Sequence, residues 1–435
     1  MAEQMKSSGI DWIGDIPESW KVKPLKYLAK CNQDVLLETT APDYSFRYVD
    51  IGSVTYERGI TEYQELRFED SPSRARRRVS VGDTIISTVR TYLKAIAIIS
   101  DSENVIVSTG FAVYTPDKAI YPQYLYYFCK SEGFVQEIDK NSYGIAYPSI
   151  NTDLLSRICI VYPCYEEQQV IADFLDKECA RIDSIAADLG KQIELLQQYK
   201  KSLITETVTK GLDKSVPMKD SGIEWIGEIP EHWAISRVRH LASLCSGATP
   251  SKDVLSYWEG NIPWVSSQEV KSDIIKDTSL HISEEAINSC STQLMPAGTL
   301  VMVVRSGILQ HTIPIALLGV SATINQDIKA FQFNHLMLPA YFKYYIQGEN
   351  DALLSVIIKD KTTVESVDNQ LLLSLKIMVP PIEEQKAIVA FLNYKCGYID
   401  KILNDKQEQL NLLMQHKKSL IYEYVTGKKR VKEVQ

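Results

Sequence analysis

The chain has 435 residues, 45% hydrophobic and 23% charged, which is ordinary globular composition with room for two to four domains. Its net charge of -8 argues against a protein that grips nucleic acid by bulk electrostatics, because backbone binding needs clustered Lys and Arg; local basic patches stay open. No stretch approaches the roughly 18 uninterrupted apolar residues of a membrane span. MAEQMKSSGIDW lacks the apolar core of a signal peptide, and the eight cysteines contain no C-x-x-C, so a cytoplasmic protein without a membrane partner is expected.

The first element is a block, MKSSGIDWIGDIPESW at residues 5–20, that returns as MKDSGIEWIGEIPEHW at 218–233, 213 residues later. Next comes a region, about 23–160, of short β-branched runs broken by Gly, Pro and Ser. TIISTVR (Thr84–Arg90) follows a turn-forming Gly82, and an aromatic, helical run begins at Tyr121 (YPQYLYYFCK). EEQQVIADFLDKECARID from Glu166 then opens a helix in which Leu175, Ile182, Leu189, Leu196 and Leu203 recur every seven residues. That period predicts a coiled-coil seam, and roughly 45 helical residues at 1.5 Å each span about 65 Å. The linker GLDKSVPMKDSG (211–222) leads into the second block.

The second half repeats this order with different residues. TLVMVVR (Thr299–Arg305) follows Gly298, and PAYFKYYIQ begins at Pro339. EEQKAIVAFLNYKCGYID starts at Glu383, 217 residues after its counterpart, and its seam runs through Leu392, Ile399, Leu413 and Leu420, with Lys406 at the intervening heptad position. Cys179 and Cys396 occupy equivalent apolar sites and read as core. The acidic pairs Glu166–Glu167 and Glu383–Glu384 stand at helix starts, where they complement the dipole. The expected fold class is mixed α/β: two globular regions in tandem, each followed by a long helix. The divisions are 1–160, a helix over 161–212, 213–378, and a helix over 379–435.

Catalytic chemistry is missing from this pattern. A duplicated enzyme carries its catalytic groups twice, yet all six histidines lie in the second half. There is no phosphate-binding G-x-x-x-x-G-K-[ST] and no G-x-G-x-x-G. VPPI (Val379–Ile382) has the prolines of an amino-methyltransferase motif without its polar and aromatic neighbours. No metal site and no catalytic residue is expected.

The two Trp-containing blocks, with ten identical positions beyond the opening Met-Lys, and the two EEQ…FL…ID…KKSLI helices resemble the specificity subunit of type I restriction–modification systems. The resemblance covers the whole chain. It implies two target recognition domains that each read one half of a split double-stranded DNA sequence. It further implies that the helices pair as an antiparallel, pseudo-twofold coiled coil, set the spacer, and dock two methyltransferase (modification) subunits, with restriction (nuclease/translocase) subunits joining in complexes that cleave. No cofactor is implied in this chain; S-adenosylmethionine, ATP and Mg belong to the partner subunits. A coiled-coil adaptor without a DNA ligand is the competing reading.

Candidate DNA-binding residues are polar or basic groups at loop positions common to both regions. Arg90, Thr91, Tyr92 and Lys94 follow one Gly-led strand, and Arg305, Ser306, Gln310 and His311 follow the other. Arg pairs with guanine and Gln with adenine in the major groove. Ser266, Ser267 and Gln268 follow a short strand, as GSVT (Gly52–Thr55) does. NSYGIAYPSIN (141–151) aligns with DKTTVESVDN (360–369), placing Tyr143 against Lys361, Thr362 and Thr363. Arg74, Arg76, Arg77 and Arg78, in the dense run SRARRR, are assigned to phosphate contact.

Overall fold

The computed structural model describes residues 4–290, 292–358 and 364–431. The helices used below are, in chain order, α1 (Pro122–Lys130), α2 (Glu132–Lys140), α3 (Thr152–Arg157), α4 (Tyr165–Lys210), α5 (Glu284–Ser289), α6 (Pro339–Gly348), α7 (Asn350–Ile357), α8 (Asn369–Ser374) and α9 (Ile382–Val425). The chain forms two units: residues 1–190 with 408–435, and residues 191–407. Each unit therefore holds one globular region, one half of α4 and one half of α9.

The first unit carries two four-stranded sheets. One runs Ile96–Ile98, Thr84–Ser87, Phe111–Pro116, Ala29–Cys31, all antiparallel. The other runs Gln64–Arg67, Ser45–Val49, Val105–Ser108, Ala75–Arg78, with one parallel pair at its centre. The second unit repeats the order with different residues: Ala242–Ser246, Ile328–Phe333, Leu300–Val303 and Ile315–Leu318 are neighbours in one sheet, and Ile262–Val265 pairs parallel with Thr323–Ile324 in the other. The glycines ahead of the central strands, Gly82 and Gly298, hold φ of +89° and +86°, a turn that any Cβ would strain.

In the first unit Trp20, Tyr124, Phe128 and Phe134 share a core with Leu175, Cys179 and Ile182 of α4 and Leu420, Ile421 and Val425 of α9. In the second, Trp233, Tyr341, Phe342 and Tyr345 share one with Ile204 and Val208 of α4 and Leu392 and Cys396 of α9. The helices in each unit run antiparallel, because the early residues of one meet the late residues of the other. Tyr124 donates its hydroxyl to the carbonyl of Val425 at 2.9 Å, and Tyr341 donates to Val208 at 2.9 Å. Gly211 and Gly427, at φ +71° and +72°, end the two helices in the left-handed cap that glycine favours.

The expected seam is present with a gradient of burial. Leu175, Ile182, Leu392, Ile399 and Leu420 are buried, whereas Leu189, Leu196, Leu203 and Leu413 are half-buried. Leu175, Ile182 and Leu420 belong to the first core and Leu392 to the second, with Leu413 and Leu203 packed at their edges, whereas Leu189 and Leu196 belong to neither. Both tryptophans that close the sequence blocks are core, while Trp225 is exposed and Trp12 packs at 5.9 Å from Phe128 and 6.3 Å from Tyr422.

Candidate nucleic-acid interface

In the first unit the strand Thr84–Ser87 delivers the chain into a tight surface turn, Thr91–Leu93, bracketed by Arg90 and Lys94 at φ +52° and +50°. Left-handed backbone without glycine costs on the order of 1 kcal/mol per residue and persists where surrounding contacts impose it. Those contacts come from the segment 141–151. Tyr143 and Ser149 exchange backbone hydrogen bonds at 2.9 Å, the Thr91 amide donates to Pro148 at 3.3 Å, and Ser142 donates its hydroxyl to buried Thr91 at 3.1 Å. The Arg90 guanidinium lies over the Tyr147 ring at 5.5 Å.

The two loops thus present one face carrying Arg90, Tyr92 and Lys94 with Tyr143, Ile145 and Tyr147. Tyr143 and Tyr147 are 63% and 68% exposed, and Ile145 between them is fully so, at 106%. Exposed tyrosines interleaved with cations suit a nucleic acid, whose phosphates take hydrogen bonds from hydroxyl, guanidinium and ammonium groups and whose base edges lie open in the grooves.

In the second unit the corresponding loops also meet. Arg305 forms a backbone bridge with Ser366, the Ser306 amide donates to Glu365 at 3.1 Å, and the Gln310 amide donates to the Glu365 carboxylate at 2.7 Å. That hydrogen bond holds the Glu365 carboxyl below its ordinary range. Arg305, Gln310 and His311 are exposed. Lys361, Thr362 and Thr363 lie outside the described residues.

Beside each loop pair is a cleft. In the second unit it measures about 780 Å³ and gathers Ser267, Gln268, Ser306 and His311, so two segments far apart in sequence share one wall. Ser266 is not among the lining residues; its carbonyl accepts from the Glu269 amide at 3.0 Å. In the first unit the cleft is about 370 Å³ and gathers Gly52, Thr55, Tyr92 and Lys94. The far walls are Lys201 of α4 and Lys418 of α9, equivalent second lysines of the two KKSLI blocks. Sequence reasoning missed these lysines and Tyr147. The repeated dilysine was the available signal for the first two; nothing in the sequence marks the Arg90–Tyr147 stack.

The arginine run does not form one patch. Ala75–Arg78 is a strand, so successive side chains face opposite ways. Arg74 donates to the Tyr48 hydroxyl at 3.3 Å and pairs with Asp50 at 2.9 Å, and the Tyr48 bond first and the Asp50 charge second raise its pKa. The Arg76 guanidinium covers the Phe68 ring at 4.8 Å. Arg77 is half-buried, its Nε has no hydrogen-bond partner, and burial lowers its pKa. Arg78 is exposed. Among the described residues no cluster of His, Cys, Asp or Glu is placed to hold a metal, and no helix is long and apolar enough to cross a membrane.

Comparison with known proteins agrees with this architecture. The sequence profile described as "Type I restriction modification DNA specificity domain" matches residues 17–195 and again 230–412. The chain is 32% identical over 229 residues, 52% of its length, to the type I restriction enzyme EcoR124I/EcoR124II specificity subunit of Escherichia coli, and spans about half, 51%, of that relative. It is 25% identical over 344 residues to the MjaVIII specificity subunit of Methanocaldococcus jannaschii, covering 76% of each chain. A solved structure described under complex assembly and conformational transition of the type I R-M system shares the fold, with TM-score 0.78 over 95% of this chain and 99% of that one at 20% identity. With two matches to the specificity domain inside one chain of this topology, the protein belongs to the type I restriction–modification family, as a specificity subunit.

Proposed function

We propose that each unit reads one half of a bipartite double-stranded DNA target through its loop pair and cleft, and that α4 and α9 fix the spacer and dock two methyltransferase subunits. As a specificity subunit the chain is not itself an enzyme. S-adenosylmethionine, ATP and Mg would bind the methyltransferase and, in a complex that cleaves, the restriction subunits; the assembly would work in the cytoplasm. In this reading the recognition domains are 1–160 and 213–378, and the helical segments 161–212 and 379–435.

One observation carries the proposal. The two units place equivalent loops together on an equivalent scaffold, yet fill them with different residues: Arg90, Tyr143 and Tyr147 in one, Arg305, Gln310 and His311 in the other. Two unlike reading surfaces on like frames suit a non-palindromic site, as a symmetric dimer suits a palindrome. Phosphate contacts would come from Arg74, Arg76 and Arg78 and from Lys201 and Lys418; an acidic chain needs such local cations because its net charge repels DNA.

The test is to express the chain with its methyltransferase and map methylated bases by long-read sequencing. A single split motif with two unlike halves is expected. A contiguous or palindromic motif, or unchanged methylation when this chain is omitted, would reject the reading.

A further inference from the structure

Two ion pairs in the helices occupy equivalent positions of the repeat. In the first unit Lys417 of α9 holds both carboxylate oxygens of Asp183 of α4, at 2.6 and 2.7 Å. In the second, Lys200 of α4 holds both oxygens of Asp400 of α9, at 2.6 and 2.8 Å. Each lysine opens a KKSLI block, and each aspartate ends an ID dipeptide 217 residues from its twin. Asp183 to Lys200 along α4 and Asp400 to Lys417 along α9 are both steps of seventeen residues, so one antiparallel register satisfies both pairs.

These are not ordinary surface pairs. The Lys417 side chain is 10% exposed and Lys200 27%, against 52% for Asp183 and 49% for Asp400, and the two ammonium groups act on the buried thiols of Cys179 and Cys396. A desolvated ammonium that loses its carboxylate is strongly unfavourable, whereas an exposed one is not. The leucines between cannot choose a register alone. Their period is seven, so sliding one helix by a heptad keeps apolar residues facing one another at the heptad positions other than that of Lys406, and the mid-seam leucines are only half-buried. The same slide sets Lys200 against Gln407 and Lys417 against Gly190 in one direction, and Lys200 against Asn393 and Lys417 against Asp176 in the other, so either slide leaves at least one lysine without a carboxylate. Gln192 and Lys406, hydrogen-bonded at 2.6 Å, obey the same register within the second unit.

We propose that the Lys200–Asp400 and Lys417–Asp183 pairs are register-setting residues that select one alignment of the paired helices and thereby a single spacer in the DNA target. Their contribution is to specificity more than to stability, since the half-exposed carboxylates weaken the attraction while the ammonium groups still lose water on folding. The proposal rests on the reading that the helices set the spacer.

The experiment compares three versions of the full chain, co-expressed with the methyltransferase. The first carries Lys200→Asp alone, or Lys417→Asp alone. The second exchanges the charges, Lys200→Asp with Asp400→Lys and Lys417→Asp with Asp183→Lys. The third replaces all four by Met. Register is read without DNA by the disulfide yield of an added Gln192→Cys/Lys406→Cys pair, and in cells by the methylated motif. Single reversals should lower the melting temperature, and the exchange should restore it together with the wild-type motif. The four-Met chain should melt at or above the wild-type temperature. Its disulfide yield should fall several-fold, and its methylome should contain more than one spacer. A four-Met chain with full disulfide yield and one spacer overturns the proposal, as does an exchange no better than the single reversals. Should the four-Met chain not fold, the exchange arm decides alone. If the wild-type complex methylates no split motif, the functional reading fails, and the disulfide yields still judge the register.

Discussion

Arg90 illustrates how one residue can be costly to the fold and useful to the surface. Its φ of +52° is a conformation glycine adopts freely, while its guanidinium is held out over Tyr147. Arg90→Gly should therefore raise the melting temperature of the first unit, by about 2–4 °C if the relief is on the order of 1 kcal/mol. The same change should weaken DNA binding, by roughly 5- to 150-fold if Arg90 makes a bidentate base contact worth about 1–3 kcal/mol. Arg90→Ala should show the binding loss without the thermal gain; calorimetry and a binding titration separate the two. Glu349 poses the opposite case, a buried carboxylate with one oxygen lacking a hydrogen-bond partner and a pKa pushed up to about 7 by burial. Its folded pKa is above the unfolded 4.5, so between those values the native state binds the extra proton and stability falls as pH rises. Glu349→Gln should raise the melting temperature at pH 8 and leave it nearly unchanged at pH 5. Equal gains at both pH values would mean that the charge is not the cause.

At the scale of elements, the seam shows what a heptad pattern tells and what it omits. Ile182 is buried against the first core, whereas Leu196, at an equivalent heptad position, is half-buried and belongs to neither core. Ile182→Asp should cost more than about 3 kcal/mol, the range for an unpaired charge in a core. Leu196→Asp should cost nearer 1 kcal/mol, because the carboxylate can rotate into water. Circular dichroism melts would show the order, and equal losses would mean the seam is uniformly covered. Periodicity made the helices, their length and their apolar edge legible, because a period of seven leaves its mark in every turn. The Gly-led strands were legible for a similar local reason, since Gly82 and Gly298 take up a φ that few other residues tolerate. The candidate surface was less so. The loops after those strands could be located, but that Arg90 would meet Tyr147, or Ser267 would share a wall with His311, depends on long-range packing that no local pattern encodes. The arginine run misleads for the same reason: three consecutive cations, Arg76 to Arg78, alternate across a strand, and one of them, Arg77, is half-buried.

At the scale of the molecule, duplication places two requirements on one chain. What is common to both units stays alike, and in the proposed reading what reads DNA differs. The shared parts are the Trp blocks, the long helices, and the tyrosines whose hydroxyls cap Val425 and Val208. The unlike parts are the loop pairs and cleft walls. Replacing residues 235–378 by the corresponding region of a relative should therefore change one half of the methylated sequence and leave the other half and the spacer as they were. The exchanged segment begins after Trp233 and ends before Val379, so it keeps the block whose tryptophan indole donates to Glu384 of α9 at 3.0 Å. It also carries its own strand Ala234–Arg237 partner, Lys376–Val379, nearly complete, so few pairings are left to chance. Tyr341 travels with the insert, and a relative lacking a tyrosine there would lose the hydroxyl bond to Val208, which predicts a less stable hybrid of unchanged specificity in the first half-site. Methylome sequencing of cells carrying the hybrid gives the answer directly. A change in both halves would mean that the two units recognise DNA jointly; a change in spacer would mean that the globular regions, and not the helix pair, set the separation.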